Sequence, residues 1–126
     1  MQLDPQMLAV MKKRATLTSE IEDLATLSIE EIREVYNAER VWWNEIKLDM
    51  HDISELTIPG PVREVPVRIY RPLNASDGPT LLYLHGGGWV VGNLDTHDRV
   101  MRLLADFSGA HVVGVDYALS PEYKFP

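Results

Sequence analysis

His85-Gly86-Gly87-Gly88-Trp89 sets a histidine and three consecutive glycines directly behind the apolar run Leu81-Leu82-Tyr83-Leu84. Three uses fit a backbone that bare: a tight turn, a cradle for phosphate oxygens, or amides aimed at a carbonyl oxygen that becomes negative during acyl transfer. The phosphate patterns fail letter by letter. Gly87 and Gly92 have the spacing of a Walker loop, but Asn93 and Leu94 stand where Lys and Ser or Thr are needed. Counting from Gly86 and Gly88, the third glycine of a dinucleotide fingerprint should fall at 91, which is Val91. A turn with one positive φ needs one glycine, whereas three in succession also remove the side chains that would hold a ligand away from the amides. Such donors, fixed before reaction, are typically worth about 2.7–4 kcal/mol each.

Other polar groupings are weaker. Asp95, His97 and Asp98, and separately His51 and Asp52, fall short of the three or four convergent ligands of a metal site, and the first group reads as helix capping. No metal and no cofactor are expected. His111 opens a strand and reads as structural, and Asp116 ends that strand, where it orients its loop. The formal charge of −7 is spread over both halves, with ten acids against six bases in residues 1–50 and nine against six in 51–126. That balance repels nucleic acid and an anionic membrane surface alike. The short basic run Lys12-Lys13-Arg14 reads as a solvated helix face. Without cysteine there is no disulfide or thiolate site, and neither a signal peptide nor a membrane-spanning run is legible, so a cytoplasmic location is expected.

The elements that must position the glycines follow from periodicity. Residues 1–50 read as helical. Asp4 caps, Pro5 takes the first helical position, Leu3 can staple onto Leu8, and Met7, Leu8 and Met11 share a face. Ser28-Ile29-Glu30-Glu31 is a capping box, and the apolar spacing from Ile29 to Ile46 predicts a long helix ending near Lys47. From residue 51 the period becomes two. "HDISELTI" and "VREVPVRIYRP" predict two strands around Pro59-Gly60-Pro61, with Pro66 arguing for an edge position or a bulge. "TLLYLH" predicts a strand buried on both faces. After the glycines, Asp95 is expected to cap a helix whose inward face is Val100, Leu103, Leu104 and Phe107, and Gly109 ends it before the strand "HVVGVD". Strand, helix, strand at this spacing predicts parallel strands, with the glycines at the carboxyl end of one, where open α/β sheets place their ligands.

The stretches "IPGPVREVPVRIYRP", "LLYLHGGGWVVGNLDTHD" and "VVGVDYALSPEYKFP" together resemble the hormone-sensitive-lipase-like group of α/β-hydrolases, the bacterial carboxylesterases and acetyl esterases, from about Ile58 onward. The family's last motif usually reads Asp-Tyr-Arg-Leu-Ala-Pro-Glu; here Ala118 replaces the arginine and Ser120 the alanine. The resemblance implies an α/β class, specifically the N-terminal portion of an α/β-hydrolase fold: a helical cap segment over residues 1–50, then the first strands of a mostly parallel sheet over 51–126. It implies Gly87 and Gly88 as amide donors of an oxyanion hole. Gly86 and His85 would shape the loop, with His85 holding it by side-chain hydrogen bonds. Trp89 would line the acyl pocket, a core aromatic being the alternative. The implied activity is hydrolysis of short-chain acyl esters through a serine acyl-enzyme.

That chemistry needs a serine on a Gly-x-Ser-x-Gly elbow, then an acid, then a histidine. None of the six serines, at 19, 28, 54, 76, 108 and 120, has this context. The expectation is therefore a chain that supplies cap and oxyanion loop while the triad lies elsewhere, and that is inactive alone. "LLYLH" is then expected to present an open strand edge, to be met by a complementing polypeptide or by self-association. A non-catalytic binding module that keeps the hydrolase architecture is the alternative.

Overall fold

The computed structural model describes residues 3–17, 24–75 and 78–124. Pro5 opens the first helix, α1 (Pro5–Leu17). Asp4 caps it, accepting at Oδ1 from Gln6 N (2.8 Å) and at its carbonyl from Leu8 N (3.0 Å). Leu3, Met7, Leu8 and Met11 are all exposed among the described residues, so the face they share is not a core face here. The basic run lies on an exposed helix face, as expected; from it Arg14 reaches buried Glu39 at 3.0 Å, and the Lys13 ammonium lies 5.9 Å from the Trp42 ring.

The second helix, α2 (Ile29–Trp43), follows a short 3₁₀ turn and starts on the expected capping box. The Ser28 hydroxyl accepts from Glu31 N, and the Glu31 carboxylate accepts from Ser28 N at 2.8 Å. It stops at Trp43, earlier than expected, and Ile46 is exposed. Asn44 is the cause. Its side-chain amide donates to Arg40 O and Thr96 O and its Oδ1 accepts from Arg99 N, so the residue that would continue the helix docks it onto the next layer instead.

Four strands form one sheet in the order β1-β2-β4-β3: β1 (Asp52–Ile58), β2 (Val65–Arg71), β3 (Leu81–Leu84) and β4 (Val112–Val115). β1 with β2 and β2 with β4 are antiparallel, while β3 and β4 run parallel, joined through α3 (Asp98–Ser108) as the strand-helix-strand spacing requires. β2 is an interior strand, so Pro66 does not mark an edge. Its carbonyl accepts from Asp116 N one position past the last paired residue of β4, where a missing N–H leaves little unmatched.

The core is Tyr70, Leu94, Met101, Ala105 and Val112, with Met50, Ile53 and Tyr83 packed against it. α3 therefore presents Met101 and Ala105 to the sheet, and most of the face expected to be buried is turned outward: Val100, Leu104 and Phe107 are exposed, Phe107 by 81%, while Leu103 is half-buried. Asp98, also buried, holds the register of the helix. It accepts from Tyr70 OH and from Arg102 Nε, each at 2.8 Å. Asp95 is not the cap; it binds Arg68 at 2.8 Å, and His97 occupies the cap position without a side-chain bond. Gly109 ends α3 in the left-handed conformation, as expected. β3 is the far edge of the sheet, with β4 on one side only, and Leu82 and Leu84, which share one face of the strand, are 68% and 54% exposed rather than buried.

Candidate active site

The chain leaves β3 at Leu84 and turns sharply. His85 is buried, and the carbonyl of Gly87 accepts from both Val90 N (3.1 Å) and Val91 N (3.0 Å), closing residues 87–91 into one tight turn. Gly87 has φ 143°, and a Cβ there would lie 1.8 Å from the Val91 carbonyl oxygen, so no other residue fits without opening the turn. Gly88 and Trp89 follow at φ 60° and 65°. Among the described residues, the amides of Gly87 and Gly88 donate to no other group. They are backbone donors held by the turn and free to meet an incoming oxygen, which is the requirement for stabilising a developing oxyanion.

His85 supports this turn from beneath. Its Nδ1 lies 3.0 Å from Gly86 O, which can only accept, so Nδ1 carries the hydrogen. The Tyr117 hydroxyl donates to His85 O at 2.5 Å, and the two rings stack at 4.3 Å. On its other face His85 stacks on His97 at 5.3 Å. Burial, and then the neighbouring His85, push the His97 imidazole below its usual range, so this stack holds a neutral ring at pH 7. Burial pushes the Tyr117 phenol up, which keeps its donating proton in place. A Cβ at Gly92 would approach His85 Nδ1 to 2.6 Å, so the return of the loop passes directly over the ring. The loop then ends on Asn93, whose Oδ1 accepts from Asp95 N and Thr96 N.

Among the described residues Trp89 is 66% exposed and meets Tyr117 edge-on at 5.4 Å. With Leu84, Gly88, Tyr117, Ala118 and Tyr123 it lines an open cavity of about 810 Å³ against the glycine turn. Ala118, where the family pattern has arginine, gives this wall a methyl group.

Arg33 of α2 is the residue that sequence reading missed. Its Nε donates to Val90 O at 2.8 Å, one NH2 hydrogen to Ser120 O at 3.0 Å, and both terminal nitrogens to the Glu122 carboxylate at 2.8 Å. Ser120 N in turn donates to Trp89 O at 2.8 Å. The guanidinium holds the exposed Glu122 carboxyl well below its ordinary range, at about 2. No spacing rule connects residues 33, 90 and 122; only an arginine within a capped helix and the Pro-Glu of the last motif were visible. The other polar groupings are absorbed structurally. Asp95 and Asp98 face Arg68 and Arg102, Asp52 pairs with Arg71, and Asp116 pairs with Arg63 at 3.6 Å.

A parallel strand delivers a glycine turn with unpaired amides into a cavity beside the sheet, the placement that open α/β sheets give their ligand sites. Residues 81–126 match the family model described as an alpha/beta hydrolase fold. The acetyl esterase of Salmonella paratyphi B is 47% identical over 98 residues, 78% of this chain and 30% of the relative. Solved structures match over the whole chain, among them the following two. An ester hydrolase from the metagenome of Lake Arreo, complexed with a bipyridine phosphonate derivative, has a TM-score of 0.87 at 33% identity over 41% of its length. The hyperthermophilic esterase of the archaeon Pyrobaculum calidifontis has 0.82 at 35% over 40% of its length. The chain has the α/β-hydrolase fold and is similar to the hormone-sensitive-lipase-like carboxylesterases, and it spans 30% of the length of the acetyl esterases it matches.

Proposed function

We propose that this chain supplies the cap segment and the oxyanion-binding turn of a carboxylic ester hydrolase. Gly87 and Gly88 N–H groups receive the carbonyl oxygen of a small acyl ester as it becomes tetrahedral, Gly86 and His85 hold the turn, and Trp89 borders the acyl group. The unpaired amides of Gly87 and Gly88, in a turn whose Gly88 lines the cavity, are the observation that carries this reading. The 126 residues contain no Gly-x-Ser-x-Gly, so the serine that attacks the ester, with its acid and histidine, comes from sequence outside them. The open edge of β3 and the exposed apolar face at Leu82 and Leu84 support a complementing polypeptide, or a second copy, pairing along β3 and covering that face.

The test is hydrolysis of p-nitrophenyl esters from acetate to decanoate, with a fluorophosphonate to label the nucleophile. The expected result is turnover that falls with acyl length, and a label on a serine outside residues 1–126. Turnover that resists the serine reagent, or none in material that carries the whole family fold, overturns the reading.

A further inference from the structure

Arg33 uses four of its five N–H donors on three partners in the same small region. The Nε bond holds Val90, whose own amide closes the turn onto Gly87 O. The NH2 bond to Ser120 O holds the segment whose amide grips Trp89 O. The bidentate pair with Glu122 fixes the guanidinium plane, so the direction of the Nε–H is set rather than free to swing. The carbonyl side of the turn is thus tied at Gly87, Trp89 and Val90, while its Gly87 and Gly88 amides stay unpaired.

We propose that Arg33 is a positioning residue for the glycine turn, through which helix α2 sets the aim of the Gly87 and Gly88 amides. This rests on the ester-hydrolase reading, and it concerns a residue that touches neither substrate nor reacting atoms. Lysine cannot replace it, because one ammonium cannot span Val90 O, Ser120 O and both Glu122 oxygens in a planar fork. Glu122→Gln keeps the Val90 and Ser120 bonds but loosens the fork, so its effect is the smaller one.

The experiment uses the intact protein and two readouts. Amide hydrogen exchange in Arg33→Ala should quicken at Val90 and Val91 by about tenfold or more, while α3 and β4 keep the protection they have in the parent. In ester hydrolysis, kcat should fall about 10–100-fold with little change in KM, since a displaced donor is felt in the transition state. Arg33→Lys should recover only part of either effect, and Glu122→Gln should lose less than Arg33→Ala. Exchange that is unchanged at Val90 and Val91, or that rises equally across α3 and β4, overturns the proposal, as does a loss confined to KM. If exchange quickens locally while neither Arg33→Ala nor Gly87→Ala alters turnover, the oxyanion reading of the turn fails and the clamp stands.

Discussion

Gly87→Ala is the substitution whose outcome the geometry determines most closely. The new Cβ would stand 1.8 Å from Val91 O and 2.7 Å from Val91 C, at φ 143°. Ordinary contact begins near 3.5 Å, so the turn must open by about 1.7 Å. The obstacle is backbone, and it belongs to the residue whose amide closes the turn, so the Val91 to Gly87 bond cannot survive the opening. Oxyanion donors work within about 2.7–3.1 Å of the developing charge, and losing one costs about 10²–10³ in kcat, or 2.7–4 kcal/mol. The expected result is a fall of that size in kcat for p-nitrophenyl acetate, with KM little changed because the ground-state carbonyl barely uses these donors. Gly86→Ala is the built-in comparison. A Cβ there meets nothing within 4 Å, so its loss should be at least about tenfold smaller. A Gly87→Ala enzyme that stays within about threefold of the parent, or a Gly86→Ala enzyme that falls as far, refutes the reasoning.

Asp98→Ala should destabilise the fold by about 3–5 kcal/mol in urea unfolding, because it strands the buried Tyr70 hydroxyl and the Arg102 guanidinium. A loss under about 1 kcal/mol would mean that water replaces the carboxylate. His97 has a folded pKa below its ordinary 6.5, so the unfolded chain takes the proton first as pH falls. Its contribution is present above about pH 6.5 and is lost as pH drops through the folded value, so melting temperature should decline on that side, and His97→Asn should flatten the decline. The depressed carboxyls of Asp98 and Glu122 act in a lower window, as pH falls below about 4.5. Leu82→Lys should weaken association along the β3 edge, read by sedimentation velocity; a parent that is already a cooperatively melting monomer removes that edge as an interface.

What was legible in the sequence is what depends on neighbours along the chain. Asp4 with Pro5 and Ser28 with Glu31 announce helix starts because a cap acts within three residues. The strands flanking Pro59-Gly60-Pro61, the parallel return from β3 to β4 and the turn after Leu84 follow from period and glycine spacing in the same way. The misreadings share one cause. Asp95 had the right chemistry for a cap, yet Arg68, 27 residues away, took its carboxylate. The apolar spacing of Val100, Leu104 and Phe107 identifies a face that can be buried, but which face meets the sheet is decided by Met101 and Ala105 and by the Asp98 bonds to Tyr70 and Arg102. The helix predicted to reach Lys47 ends at Trp43 because Asn44 bonds Thr96 and Arg99, 52 and 55 residues on.

The candidate site divides along the same line, and the division bears on how such a site is built. His85, Gly86, Gly87, Gly88 and Trp89 are readable because one continuous stretch must both turn and expose its amides. The aim of those amides is not readable, because it is set by contacts that join the turn to α2 and to the segment after β4: Arg33 to Val90 and Ser120, Ser120 to Trp89, and Tyr117 to His85. A donor's presence in an oxyanion site is a property of local backbone, whereas its placement to within a fraction of an ångström belongs to the packing of distant elements. Substitution at Gly87 should therefore displace the donor by opening the turn itself, while substitutions at Arg33 should degrade its aim by degrees, with Arg33→Lys recovering part of that loss.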